Sequence, residues 1–235
     1  MAKADEVGVP ITRVSVRREA RSSIAIIGNP NSGKSTPFNR LTGLRQTTGN
    51  YPGVTVEKHT GTIQLTHTAL RLVDLPGIYC LGGHSADERI AVDVLLGRVD
   101  ESEAPSGLLV VVDATHLYQG LYLLEQLLEL QLPTMVALTM HDLATANGVT
   151  VDADALSMHL GGVPIYPVSS ITGHGLDDLK QALESIEDVP VPEFPSSWPE
   201  LSRRAQAMAD ETGGELVRID VLQGLIHHGS AHDCD

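Results

Sequence analysis

The chain has 235 residues, enough for one well-buried domain and a smaller appendage. Its 30 acidic against 16 basic residues leave a net charge of −14, which repels nucleic-acid phosphates and argues against DNA or RNA as a partner. No run reaches the roughly 18 apolar residues of a membrane span, and no apolar stretch near the start reads as a secretory signal. Cys80 and Cys234 form no C-x-x-C pair, so a zinc or redox motif has no support and a reducing compartment is expected. The basic cluster Arg13, Arg17, Arg18 and Arg21 reads as a solvated N-terminal arm.

In chain order, residues 1–22 form an extension, and Ser23–Gly28 (SIAIIG) then reads as a buried strand. A Gly-rich turn leads into a helix from about Lys34 to Leu41. Val56–Thr66 and Ala69–Asp74 read as an adjacent pair of strands, Ala86–Leu96 as a helix, and Leu108–Asp113 (LLVVVD) as another buried strand. Leu117–Leu130 has the spacing of an amphipathic helix, and Thr134–Thr139 (TMVALT) is a strand. A helix near Asp154–Leu160, a strand near Pro164–Val168 and a helix over Leu176–Ile186 complete the set. Five or six strands alternating with helices imply an α/β, doubly wound parallel sheet over residues 23–187. Such sheets bind ligands beyond the carboxyl ends of their strands. Residues 188–199 are proline-rich and read as a linker, and 200–235 carry two helical patterns, about 200–211 and 215–226.

Gly28-Asn29-Pro30-Asn31-Ser32-Gly33-Lys34-Ser35 matches G-x-x-x-x-G-K-[ST] directly between a buried strand and a helix. A polyphosphate needs main-chain N–H groups turned inward, glycines that let the chain wrap it, and the positive end of a helix dipole. Lys34 is expected on the β- and γ-phosphates, the Ser35 hydroxyl on Mg²⁺, and Thr36 in the same phosphate-binding segment. Pro37 falls within the first helical turn, where its missing N–H costs little. Asp74-Leu75-Pro76-Gly77 follows a strand, which places Asp74 at Mg²⁺ and the Gly77 N–H at the γ-phosphate. Thr55 lies in a Gly/Pro-rich loop, Asn50 to Thr55, where a switch threonine completes the magnesium shell.

Thr139-Met140-His141-Asp142 ends a strand at the place where GTPases carry Asn-Lys-x-Asp. The Asp142 carboxylate can accept from guanine N1–H and from the exocyclic amine, which adenine lacks, so guanine is expected. Thr139 is shorter than the usual asparagine. Losing one or two neutral hydrogen bonds, at about 0.5–1.5 kcal/mol each, is expected to weaken the guanine preference and leave room for ATP. The loop Val168-Ser169-Ser170 is placed to offer main-chain N–H to guanine O6.

Together, GNPNSGKST (28–36), NYPGVTVEK (50–58), DLPGIYCL (74–81) and SADERIAVDVLL (85–96) resemble the N-terminal G domain of FeoB, the bacterial ferrous-iron transporter. The resemblance continues through DATHLYQGLYLLEQLLELQLPTMVAL (113–138) and GVTVDADALSMHLGGVPIYPVSS (148–170), and ELVRIDVLQGL (215–225) is similar to part of that family's helical regulatory domain. It implies a Ras-like G domain that binds GTP or GDP at the cytoplasmic face of the inner membrane. The implied partners are a helical domain and a membrane region that moves Fe²⁺, with self-association left open. It also implies K⁺-stimulated hydrolysis with Asn31 helping to hold the ion, so that Lys34, Asn31, Thr55 and Gly77 form the catalytic set. Ile78 stands where Ras-like enzymes place a water-orienting glutamine, so slow turnover is expected. The departures are Thr139, a long extension before Ser23, and a short helical region, which make the chain read as a piece of a longer protein.

A nucleotide sensor with little turnover and a ribosome-associated or translation GTPase are the competing readings, the latter weakened by the acidity. His227, His228 and His232 read as tail histidines, since neighbours in sequence cannot share one helix face.

Overall fold

A computed structural model describes residues 23–191, except 44, 52, 67, 83–84, 100–104 and 170–171. The N-terminal extension, the two C-terminal helical patterns, the tail histidines, Cys234 and Ser170 lie outside the described residues.

Strand β1 (Ser23–Gly28) occupies the middle of the sheet because its residues are apolar in both directions. Ile24 and Ile26 point to one face, and Ala25 and Ile27 to the other, all with 0% exposure. Beside it, β5 (Gly107–Asp113) repeats the alternation with Leu109 and Val111 against Leu108, Val110 and Val112. The order of strands is β2-β3-β4-β1-β5-β6-β7. Here β2 is Gln46–Asn50, β3 Glu57–Gln64, β4 Ala69–Asp74, β6 Thr134–Thr139 and β7 Ile165–Pro167. β4, β1, β5, β6 and β7 are parallel, whereas β3 pairs antiparallel with both β4 and β2.

Each face of the sheet is covered by helices, which makes it doubly wound. On one face, Phe38 and Leu41 of α1 (Ser35–Thr42) and Leu176 and Leu179 of α6 (Leu176–Ala182) pack with Ile24, Ile26 and Leu109. On the other, α2 (Ala86–Leu95) and α3 (Leu117–Leu128) bring Ile90, Leu123, Leu124 and Leu127 against Ala25, Ile27, Leu108 and Val110. At roughly 1.5–3 kcal/mol per buried large aliphatic side chain, these two layers dominate the favourable side of folding. α2 starts at a capping box: the Ser85 hydroxyl accepts from the Glu88 N–H at 3.1 Å, and Glu88 accepts from the Ser85 N–H at 3.2 Å.

The sequence reading placed the core strands and most helices to within two residues. It missed three features. β2 is a seventh strand among the described residues, α4 (His141–Ala146) follows β6 directly, and the helix expected over Leu176–Ile186 becomes 3₁₀ from Leu183 to Asp188, with Ser185 at φ −117 and ψ 23. α5 (Ala153–His159) starts at Asp152, whose carboxylate accepts from the N–H groups of Asp154 and Ala155.

Candidate functional site

The sequence motifs gather at the carboxyl ends of β1, β4 and β6 and just beyond β7, along one rim of the sheet. The loop after β1 is shaped by two glycines for different reasons. A Cβ on Gly28 would collide with the Val111 carbonyl and lie 2.9 Å from Ser32 Oγ, so only glycine lets the chain turn there. Gly33 has φ +81, and Asn31, unusually for a side-chain-bearing residue, has φ +64. Left-handed residues in such a loop turn main-chain N–H groups to one side and form an anion-binding concavity. Lys34 follows, and α1 begins at Ser35 with no acidic residue in its first turn, so the helix's positive end is unopposed. Ser35 is exposed at that end, Thr36 is half-buried behind it, and Pro37 is buried in the first turn.

The loop after β4 is stitched to this one. Leu75 N–H donates to the Ile26 carbonyl at 3.0 Å, Ile78 N–H to Gly28 at 3.2 Å, and the Asn29 side-chain amide to the Ile78 carbonyl at 3.1 Å. Asn29 is therefore 7% exposed, with its side chain committed to holding the two loops together. Gly77 sits so close that a Cβ would be 2.9 Å from the Pro30 nitrogen. Further along, the Leu81 N–H donates to Gln126 Oε1 of α3 at 2.7 Å, which ties the end of this segment to the helical layer.

Lys34 Nζ donates to Asp74 Oδ1 at 2.8 Å, and both side chains are nearly buried, at 13% and 12% exposure. Such a pair is weak evidence for stability and better evidence for a site. The two line a cavity of about 350 Å³ together with Thr55. Asp74 already accepts a cationic group here, and Asp74, Thr55 and Ser35 offer hard oxygen donors. That chemistry fits Mg²⁺, which takes oxygen ligands and keeps several waters. Among the described residues there is no cluster of three or more His, Cys, Asp or Glu arranged to hold a metal.

The same cavity has a wall that the sequence reading missed: Glu57, His59 and Asp87. His59 faces Asp74 directly across the β3–β4 ladder, and its Nε2 lies 3.1 Å from Glu57 Oε2. Alternation along β3, which sets Glu57 and His59 on one face, carried this information once β3 was paired with β4. Thr55 itself is exposed on a loop anchored by Tyr51. The Tyr51 N–H donates to the Val56 carbonyl at 3.0 Å, its ring is 1% exposed, and Lys58 Nζ lies 5.5 Å from the ring centroid. Burial first, and the nearby Asp74 charge second, push the Tyr51 phenol up to about 12, while Arg71 opposes them.

At the end of β6, Asp142 is exposed and its carboxylate is already oriented. Ser169 Oγ donates to Oδ2 at 2.9 Å and the Leu143 N–H to Oδ1 at 2.9 Å. These bonds, the Ser169 hydroxyl's above all, hold the carboxyl below its usual range. Ser169 was expected to contribute its main chain; its side chain braces Asp142 as well. Met140 turns the chain with φ +53. Thr139, the last residue of β6, is buried beneath the rim. It has 0% exposure, and its hydroxyl lies 2.7 Å from the Ser32 carbonyl and 3.2 Å from the Val112 carbonyl.

Residues 22–183 match the family model described as ferrous iron transport protein B. The Fe(2+) transporter FeoB of Salmonella typhimurium is 43% identical over 217 residues, covering 87% of this chain and 27% of that protein. The FeoB of Escherichia coli strain K12 is 46% identical over 167 residues, covering 69% of this chain and 21% of its own length. The chain thus spans about a quarter of the curated relatives it matches. Among solved structures, the cytosolic domain of L. pneumophila FeoB matches with a TM-score of 0.75 at 32% identity, covering 91% of each chain. An S. thermophilus NFeoB mutant bound to GDP matches at TM-score 0.73 and 34% identity, covering 88% of this chain and 78% of that one. The cytosolic domain of T. maritima FeoB in its GMPPNP form does so at 0.73 and 34%, covering 86% and 78%. By sequence and by fold, the chain belongs to the ferrous iron transport protein B family and carries that family's N-terminal G domain.

Proposed function

We propose that this domain binds GTP with Mg²⁺ and hydrolyses it to GDP and phosphate, as the nucleotide switch of a protein that moves Fe²⁺ across a membrane. The observation that carries the reading is the meeting of Lys34, Asp74 and Thr55 in one cavity beside a loop whose main chain is bent to receive an anion. GDP- and GMPPNP-bound relatives of the same fold support guanine nucleotide as the ligand.

Each group has a task set by its chemistry. The loop from Gly28 to Thr36 wraps the phosphates, with Lys34 as the cationic donor to the outer ones. Ser35, Thr55 and Asp74 would hold Mg²⁺, which when bound neutralises charge on the phosphate oxygens. Lys34 exchanges Asp74 for phosphate as the nucleotide enters, so the ion pair marks the resting arrangement. Gly77, packed against Pro30, presents its N–H towards the terminal phosphate, and the loss of that phosphate frees this loop and Thr55. Asp142, pre-oriented by Ser169, selects guanine by accepting its two N–H donors.

Asn31, exposed at the rim of the loop with its left-handed backbone, is the residue assigned to K⁺. An ion there would supply charge where other GTPases insert an arginine. Ile78 is 0% exposed and offers no group to orient water, which is consistent with slow turnover. The membrane region and the helical domain are the partners this reading requires.

Phosphate release at saturating GTP, with K⁺ exchanged for Na⁺, tests the proposal. Mg²⁺-dependent release, faster in K⁺ and with that stimulation lost in Asn31→Ala, is expected. Tight binding without release leaves a nucleotide sensor and removes the enzyme. Equal stimulation in Asn31→Ala removes the ion assignment.

A further inference from the structure

Thr139 stands where a base contact was expected, yet it has 0% exposure. A side chain with no accessible surface does not touch a ligand that arrives from solvent. Its one hydroxyl proton lies between two main-chain acceptors, the Ser32 carbonyl at 2.7 Å and the Val112 carbonyl at 3.2 Å, and the shorter bond goes to the phosphate loop. Next in the chain is Gly33, where a Cβ would lie 3.3 Å from Met140 Cε and 3.9 Å from Thr139 Cβ. The end of β6 is thus the floor on which the Ser32–Gly33 turn rests. Ser32 is itself 3% exposed, so water does not readily replace a lost partner of its carbonyl.

We propose that Thr139 is a positioning residue for the phosphate loop, and that it takes no part in choosing the base, which falls to Asp142. The inference rests on the nucleotide-site reading above and deepens it. The departure from asparagine at this position then has a consequence different from relaxed specificity. Removing the hydroxyl frees the loop, and ordering it again on binding weakens affinity by the same factor for every base that carries the same phosphates.

The experiment is calorimetry of GDP and IDP binding to the whole chain, in the wild type and in Thr139→Val, Thr139→Ser and Thr139→Asn. IDP lacks only the amine assigned to Asp142, so the GDP to IDP ratio reports that contact, and ADP, titrated alongside and lacking O6 and N1–H as well, reports recognition of the rest of the base. Thr139→Val is expected to weaken both nucleotides equally, roughly 5- to 20-fold. Thr139→Ser, which keeps the hydroxyl, should restore wild-type affinity. Thr139→Asn should leave both the GDP to IDP and the GDP to ADP ratios unchanged, and it keeps the test informative if the valine variant does not fold. An unaltered affinity in Thr139→Val, a loss confined to GDP, or a ratio raised by Thr139→Asn would overturn the assignment. Wild-type protein that binds neither nucleotide would remove the nucleotide-site reading itself, and this inference with it.

Discussion

Replacing Gly77 by alanine tests the contact between the loops after β1 and β4, which are proposed to frame the terminal phosphate. The new Cβ would lie 2.9 Å from the Pro30 nitrogen, 3.0 Å from Pro30 Cα and 3.3 Å from the Asn29 carbonyl carbon, all main-chain atoms without a rotamer to escape into. Ordinary contact requires the loops to part by roughly half an ångström, an overpacking strain of about 1–3 kcal/mol. The same separation stretches the Ile78 N–H bond to Gly28, now 3.2 Å, and the Asn29 amide bond to Ile78, now 3.1 Å. If each weakens by about half of its net worth, the total destabilisation is about 2–4 kcal/mol, or roughly 5–15 °C in melting temperature for a domain of this size. Because GDP lacks the phosphate proposed for the Gly77 N–H, GDP affinity should stay within about threefold of wild type, while single-turnover GTP hydrolysis falls at least about tenfold. Thermal melts with and without GDP, followed by rapid-quench hydrolysis, read all three quantities. A Gly77→Ala protein that melts and hydrolyses like the wild type would refute the close-contact argument.

Other consequences follow from single groups. Asp142→Asn should trade guanine for xanthine, because the amide can donate to the carbonyl that xanthine carries where guanine has its amine; competition between GDP and XDP checks it. An unchanged preference for GDP would remove Asp142 from base recognition. For Tyr51 the folded phenol is raised from the usual tyrosine value of about 10 to about 12, so its contribution to stability is complete below pH 10 and is lost as pH rises towards 12. Tyr51→Phe should flatten that alkaline loss in urea titrations between pH 9 and 11. It should cost little at neutral pH, since the buried hydroxyl has no hydrogen-bond partner. An identical slope in the variant would show that another group titrates there.

The parts of the fold legible in the sequence were those buried on both faces. SIAIIG, LLVVVD and TMVALT are continuous apolar runs with no alternative to the centre of a parallel sheet. β2 was illegible because every residue of Gln46–Asn50 is exposed, so no buried, apolar alternation marks it as a strand in the sequence. α4 is only six residues long and hides in the turn that the base motif requires. The loop after β1, Asp74 and Asp142 stood out in the sequence as candidates because phosphate and base chemistry would fix residue type and spacing together. Asn29 and Thr139 were not. Their side chains answer to carbonyls 49 and 107 residues away in the chain, and no local pattern reports such a bond. Glu57, His59 and Asp87 entered the cavity wall only through tertiary packing, with the β3–β4 register setting His59 opposite Asp74.

Lys34 Nζ rests on Asp74 Oδ1 at 2.8 Å, and the proposed function has it leave that carboxylate for phosphate when a nucleotide arrives. Calorimetry of GTP and GDP binding to Lys34→Ala, in the presence of Mg²⁺, tests it most directly. A charge-assisted bond is worth about 1.5–3 kcal/mol, so affinity should fall roughly 10- to 150-fold while the protein stays folded. Undiminished affinity in a folded Lys34→Ala protein would contradict the account.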